Sequence, residues 1–151
     1  MERRDGFDLA AGEHRGYGRS GIVHRRVAAL REDCAAFVDE LRGRGEHLFQ
    51  SRWYVPHESV VQRRATAEEK ERLAALQRSG LTFGYDPERC VEVAHNALFA
   101  FGATLPWDVS VGHSDISPGY AEKKPARCIR IDAGGAAPAR LFTAVLFLRK
   151  P

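Results

Sequence analysis

No segment of this sequence approaches the roughly 20 consecutive apolar residues that a membrane-crossing helix needs, so a helical membrane protein is not expected. The amino terminus, Met1-Glu2-Arg3-Arg4-Asp5, carries mixed charge with no apolar stretch behind it and does not read as a secretory leader. Cysteine is scarce. Cys34, Cys90 and Cys128 are odd in number, far apart and without a C-x-x-C spacing, which argues against a disulfide framework and for reduced thiols. A cytoplasmic location is the matching expectation. The sequence also lacks a phosphate-binding glycine loop, a G-x-S-x-G elbow, internal repeats and low-complexity tracts.

What is present is ordinary for one globular domain. With 151 residues, 44% hydrophobic and 28% charged, the chain is long enough to bury roughly 68–70% of its unfolded surface. The net charge is +3. Arginines gather in the first third, at Arg3-Arg4, Arg25-Arg26 and Arg42/Arg44, but acidic residues interleave with them and no aromatic-basic pattern accompanies them. They read as a solvated surface, and nucleic acid is not an expected partner.

Residues 1 to 21, rich in Gly, Arg and Asp, show no sustained hydrophobic period and are expected as a mobile arm, with a single domain over residues 22 to 151. Val27, Leu30, Cys34, Phe37, Val38 and Leu41 recur at three and four, the spacing of one helix face, ahead of Gly43 and Gly45. Two short strands around Pro56-His57 are expected within Leu48 to Val61. Thr66-Ala67-Glu68-Glu69 has the form of a capping box and opens a short helix to about Gln77, before Ser79-Gly80. Asp86-Pro87-Glu88 resembles a helix start, and Val91, Ala94, Leu98 and Phe101 give that helix its stripe, with His95 beside it and Gly102 as its end. Strands are expected at Val109-Val111, at Cys128 to Ile131, and at Leu141 to Leu148. The last is apolar on both faces, as in the middle of a covered sheet. The fold class so read is mixed α/β, a small sheet flanked by helices, and the core strand so near the end suggests the front portion of a longer protein.

The residues with the clearest chemistry lie in Gly112-His113-Ser114-Asp115-Ile116-Ser117-Pro118-Gly119. If this stretch is extended, His113 and Asp115 share a face because the side-chain period of a strand is two, and both can meet one cation. Alternatively His113 binds alone and Asp115 orients it, or Asp115 and Ser114 only cap a turn. The octapeptide resembles the signature of zinc-dependent N-acetylmuramoyl-L-alanine amidases and peptidoglycan recognition proteins. Ile22-Val23-His24 resembles that family's early strand, whose histidine is a zinc ligand. The resemblance implies a zinc site from His24, His113 and Asp115. Where the family carries its third ligand this chain has Ala121, Glu122 and Lys123, so Glu122 is the substitute oxygen ligand, or Cys128 reaches in. Zinc lowers its bound water to a pKa of about 7. Lys123 or Lys124 would stabilise the oxyanion formed on a muropeptide or other small-molecule substrate.

A second resemblance competes. Cys128 to Gly135 and Arg140 to Leu148 are similar to two strands of Fe(II)- and 2-oxoglutarate-dependent prolyl hydroxylases, but their connector, Ala136-Ala137-Pro138-Ala139, holds no iron ligand. The expectation from sequence is therefore a zinc amidase-like protein. A truncated or inactive dioxygenase-like domain and a non-catalytic binding domain are the alternatives.

Overall fold

The computed structural model describes residues 2–4, 6–17, 19–56, 59–78, 84–117, 119 and 122–148. Its elements in chain order are β1 (Glu2–Arg4), β2 (Phe7–Tyr17), β3 (Ile22–Arg31), β4 (Cys34–Arg42), β5 (Glu46–Val55), β6 (Val60–Arg63), α1 (Ala67–Arg78), β7 (Asp86–Val93), β8 (Ala97–Ala103), β9 (Trp107–Ile116), β10 (Lys124–Ala136) and β11 (Ala139–Phe147). Eight strands form one antiparallel sheet in the order β1-β2-β3-β4-β11-β8-β7-β6, and three form a second in the order β5-β10-β9. The result is a β-sandwich.

The middle of the larger sheet is buried on both faces. Toward the smaller sheet, Phe37, Phe99, Phe101, Leu141 and Val145 pack with Phe49, Trp53, Val55, Ile129 and Ile131. On the opposite face, Leu73 and Leu76 of α1 close over Cys34, Ala36, Cys90, Leu98, Ala100, Ala144 and Leu146. The central strand β11 lies between β4 and β8, and every residue from Leu141 to Leu146 is buried, as its two-sided apolar sequence requires. The capping box also forms: the Glu69 N–H donates to Thr66 Oγ1 at 3.3 Å, and the Thr66 N–H donates to Glu69 Oε2 at 2.7 Å. Ser79-Gly80, expected to end α1, lies outside the described residues.

The α/β reading is overturned, and double burial is the reason. The helix expected over Val27 to Leu41 is the hairpin β3–β4, turning at Glu32-Asp33. In β4, Cys34 and Ala36 face α1 while Ala35, Phe37 and Leu41 face the second sheet, so no polar alternation marks the strand. The helix expected from Asp86 to Phe101 is the hairpin β7–β8. Its turn is closed by the Asn96 N–H donating to the Val93 carbonyl at 3.0 Å, with positive φ at Ala94 (53°) and His95 (57°). Asn-Gly or Asp-Gly would have announced such a turn, and Ala-His does not. The apparent helix cap at Asp86 accepts from the Glu88 N–H at 2.9 Å, but at a register shift in β7, where Pro87 needs no ladder partner.

Gly102 does not end a helix. It sits in β8 where a Cβ would meet the Gly84 carbonyl oxygen at 1.5 Å, so only glycine admits this backbone crossing. The strands expected around Pro56-His57 exist as β5 and β6, but they belong to different sheets, and His57 itself lies outside the described residues. The stretch from residue 1 to 21, expected to hold no element, contains β1 and β2, and Phe7 is buried in the α1-side core.

Candidate functional site

At a strand spacing of about 4.8 Å, a three-stranded sheet cannot cover an eight-stranded one, and a ledge is left on each side. One runs beside β5, above β3 and β4. The other runs beside β9, above β6 and β7, where Gln62 Nε2 donates to the Val109 carbonyl and Arg89 Nη1 to the Trp107 carbonyl, each at 3.0 Å.

The β5 ledge holds a groove of about 500 Å³, within the range typical of ligand sites. Ile22, His24 and Arg26 line it because alternate residues of β3 share a face. Asp39, buried on β4, is shared between two of its neighbours. His24 Nε2 lies 2.7 Å from Asp39 Oδ1, and Arg26 donates from Nε to Oδ1 at 2.6 Å and from Nη2 to Oδ2 at 2.8 Å. The Asp39 carboxylate holds the Arg26 guanidinium above its ordinary pKa, against the opposing effect of burial. Arg26 also lies over the Trp53 ring, 5.6 Å from its centroid, so the cation is clamped in place before any ligand arrives.

Tyr17 reaches the same groove through an irregularity between His14 and Tyr17 in the β2–β3 ladder. Its ring stands edge-on to His14 at 5.4 Å and tilted against His24 at 6.5 Å. Gly16 makes this fold-back feasible, since a Cβ there would lie 2.2 Å from the His14 ring. The outer wall comes from β5, with His47, Gln50 and Arg52. Among the described lining residues the basic groups are His24, Arg26, His47 and Arg52, and Asp39 is the single carboxylate. That balance suits an anion.

The β9 ledge, about 250 Å³, is lined by Arg63, Arg64 and Arg89 with Glu88 and Asp108, and carboxylates beyond the lining also meet these cations. Arg63 is shared by Glu69 and Glu92, Arg64 and Lys70 meet Glu88, and Arg89 meets Asp86 and Asp108. Arg63, hydrogen-bonded to it, holds Glu69 down to about 2. Here five carboxylates meet four cations, and no positive charge is left over.

The residues expected from sequence to form one site are dispersed. His24 is on β3 of the larger sheet, while His113 and Asp115 are on β9 of the smaller. The extended conformation that puts His113 and Asp115 on one face is present, but His113 is exposed and contacts Arg127 Nη1 at 2.9 Å through Nε2. Glu122 and Lys123 are exposed between β9 and β10, with the Glu122 N–H donating to the Gly119 carbonyl at 3.3 Å. Cys128 lies within β10. Among the described residues, no three His, Cys, Asp or Glu side chains converge as a metal site. No helix among them is long and apolar enough to cross a membrane. Cys34 and Cys90 are buried in β4 and β7. Burial pushes their thiols up to about 11 and about 12. Tyr17, Arg26, Asp39 and Arg52 were not foreseen; the alternation Ile22-x-His24-x-Arg26 was the available signal, cut short by the helix-like spacing that begins at Val27.

The family model for the heparinase II/III-like C-terminal domain matches residues 1–140. The chain belongs to this family. No curated protein matches it. Among solved structures, the heparinase-like chain is similar to the heparan sulfate lyase HepC from Pedobacter heparinus at 10% identity and a TM-score of 0.64, covering 99% of this chain and 21% of that one. A HepC mutant gives 0.63 at the same identity and the same shares. A heparinase III gene product gives 0.58 at 12% identity, covering 97% of this chain and 20% of that one. At such identities the likeness establishes the fold, and the chain spans about a fifth of the length of these relatives. The family match overturns the amidase and dioxygenase readings with their hydrolase, zinc and muropeptide assignments. Val111 to Ile116 is an ordinary part of β9 in a heparinase-like sandwich, and its likeness to an amidase signature is local.

Proposed function

We propose that this heparinase-like domain binds an acidic polysaccharide for a lyase reaction, holding one acidic sugar residue in the groove beside β5. The observation that carries this reading is the cation surplus around Asp39: the only carboxylate among the described lining residues is occupied by His24 and Arg26, leaving the groove basic. A guanidinium fork matches the geometry of a sugar carboxylate or sulfate. Arg26 has its Nε and Nη2 directed to Asp39, and Arg52 has one donor on Gln50 Oε1 at 2.7 Å, so both guanidinia retain free donors.

The same geometry provides proton chemistry. When His24 donates from Nε2 to Asp39, Nδ1 is its acceptor, the arrangement of a histidine base oriented by a carboxylate. In an elimination at a uronate, such a base takes the proton next to the carboxylate, the electron pair forms the ring double bond, and the glycosidic oxygen departs, taking up a proton from the protonated base or from water. Cationic neighbours stabilise the negative charge that develops on the carboxylate.

The test is calorimetric titration of the chain with a heparan sulfate octasaccharide. Arg26→Gln is expected to weaken binding about tenfold, the loss of one charge-assisted contact, while Arg89→Gln on the other ledge leaves it unchanged. Equal affinity in both variants and the wild type would overturn the reading.

A further inference from the structure

The outward face of the three-stranded sheet carries a second cluster that the groove does not use. Arg130 of β10 is directly opposite Arg52 of β5 on one side and Ser110 of β9 on the other, so the three side chains form one row across the sheet. Like charges directly opposite each other in a sheet repel. Here the repulsion is only partly relieved: Arg130 Nε meets Asp132 Oδ2 at 2.8 Å, and Arg52 has Gln50 but no carboxylate among the described residues. Asp132 in turn accepts from Gln50 Nε2 at 2.6 Å, which fixes the lower edge of the row.

The neighbouring row is Tyr54, Cys128 and Gly112. Tyr54 is half exposed, and beside it stand a small side chain and a glycine whose Cβ would meet nothing within 4 Å. An aromatic ring next to an open shelf, one residue pair along from two guanidinia and a hydroxyl, fits a sugar ring bearing an anionic substituent. Because Arg52 also lines the groove, the two places are continuous around the β5 edge.

We propose that this outward face is a second binding point for the same acidic polysaccharide, resting on the reading of the groove given above. Arg52, Arg130 and Ser110 take a sulfate or carboxylate of a sugar residue, and Tyr54 packs on its ring above Cys128 and Gly112.

Backbone amide shifts on addition of the heparan sulfate octasaccharide test this, with Arg130→Gln and Gly112→Val as the outer-face variants. A Cβ at Gly112 meets nothing within 4 Å, so Gly112→Val occupies the shelf from an open position and guards against a loss caused by misfolding. The expected result is perturbation of both β3 around His24 and the Ser110–Gly112 stretch of β9. Each variant should abolish the β9 shifts and lower affinity about tenfold, while shifts at His24 and Arg26 persist. Shifts confined to the groove, with affinity unchanged in both variants, would overturn the second point and leave the groove reading standing. No shifts at either place in the wild type would overturn both.

Discussion

On the β5 side of the sandwich one buried carboxylate, Asp39, is shared by two basic groups, His24 and Arg26; on the β9 side two carboxylates, Glu69 and Glu92, share one guanidinium, Arg63. The same architectural step, a narrow sheet on a broad one, thus yields a ledge with positive charge to spare and a ledge without. At the two shared groups themselves the number of ion pairs, two each, does not distinguish the sides. What does is which sign is left over, and it makes one ledge a site for an acidic ligand and the other a brace between β6, β7 and α1.

Removing the shared group on either side gives the largest effects. Asp39→Ala leaves Arg26 and His24 without their partner and is expected to cost about 2–3 kcal/mol in chemical denaturation, below the range of a fully buried pair because the Arg26 side chain is 43% exposed. It should also raise the mobility of Arg26 and weaken ligand binding.

Glu69→Gln tests the brace. The Glu69 carboxyl is lowered in the folded state from 4.5 to about 2, so its stabilisation is present above pH 4.5 and is lost as pH falls toward 2. The variant is expected to be less stable than wild type by about 2 kcal/mol at pH 7, with the gap closing over that acid window. A gap independent of pH would show that the carboxylate charge is not what Arg63 holds. Ligand affinity at neutral pH should not change.

The smallest effect belongs to Arg64→Ala. The Arg64 side chain is 81% exposed beside a half-exposed Glu88, and its loss should fall within about 0.5 kcal/mol in the same measurement. A larger loss would mean that the β9 brace extends to the surface.

Part of this molecule is legible in its sequence. The capping box of α1 was written in Thr66 and Glu69, and the central position of β11 was written in its unbroken apolar run. The hairpins β3–β4 and β7–β8 were not, because strands covered on both faces lose their alternation and can imitate a helical stripe, while Glu32-Asp33 and Ala94-His95 lack the glycine that marks a two-residue hairpin turn. Once Val27 to Leu41 was taken for a helix, His24 and Arg26 could not be seen as neighbours of Asp39 across a ladder. His24 entered the expected site through resemblance alone, attached to His113 on the other sheet. Tyr17 was hidden further, since an irregularity in a strand expected to be an arm brings it to the groove.

The central claim is that the unbalanced ledge, and not the balanced one, holds an acidic sugar. Its most direct measurement is the crystal structure of the chain soaked with a sulfated uronate-containing disaccharide. The account predicts the sugar beside β5, its anionic group against Arg26 or Arg52 and its ring near His24 and Tyr17. A disaccharide seated instead beside β9, among Arg63, Arg64 and Arg89, would contradict it.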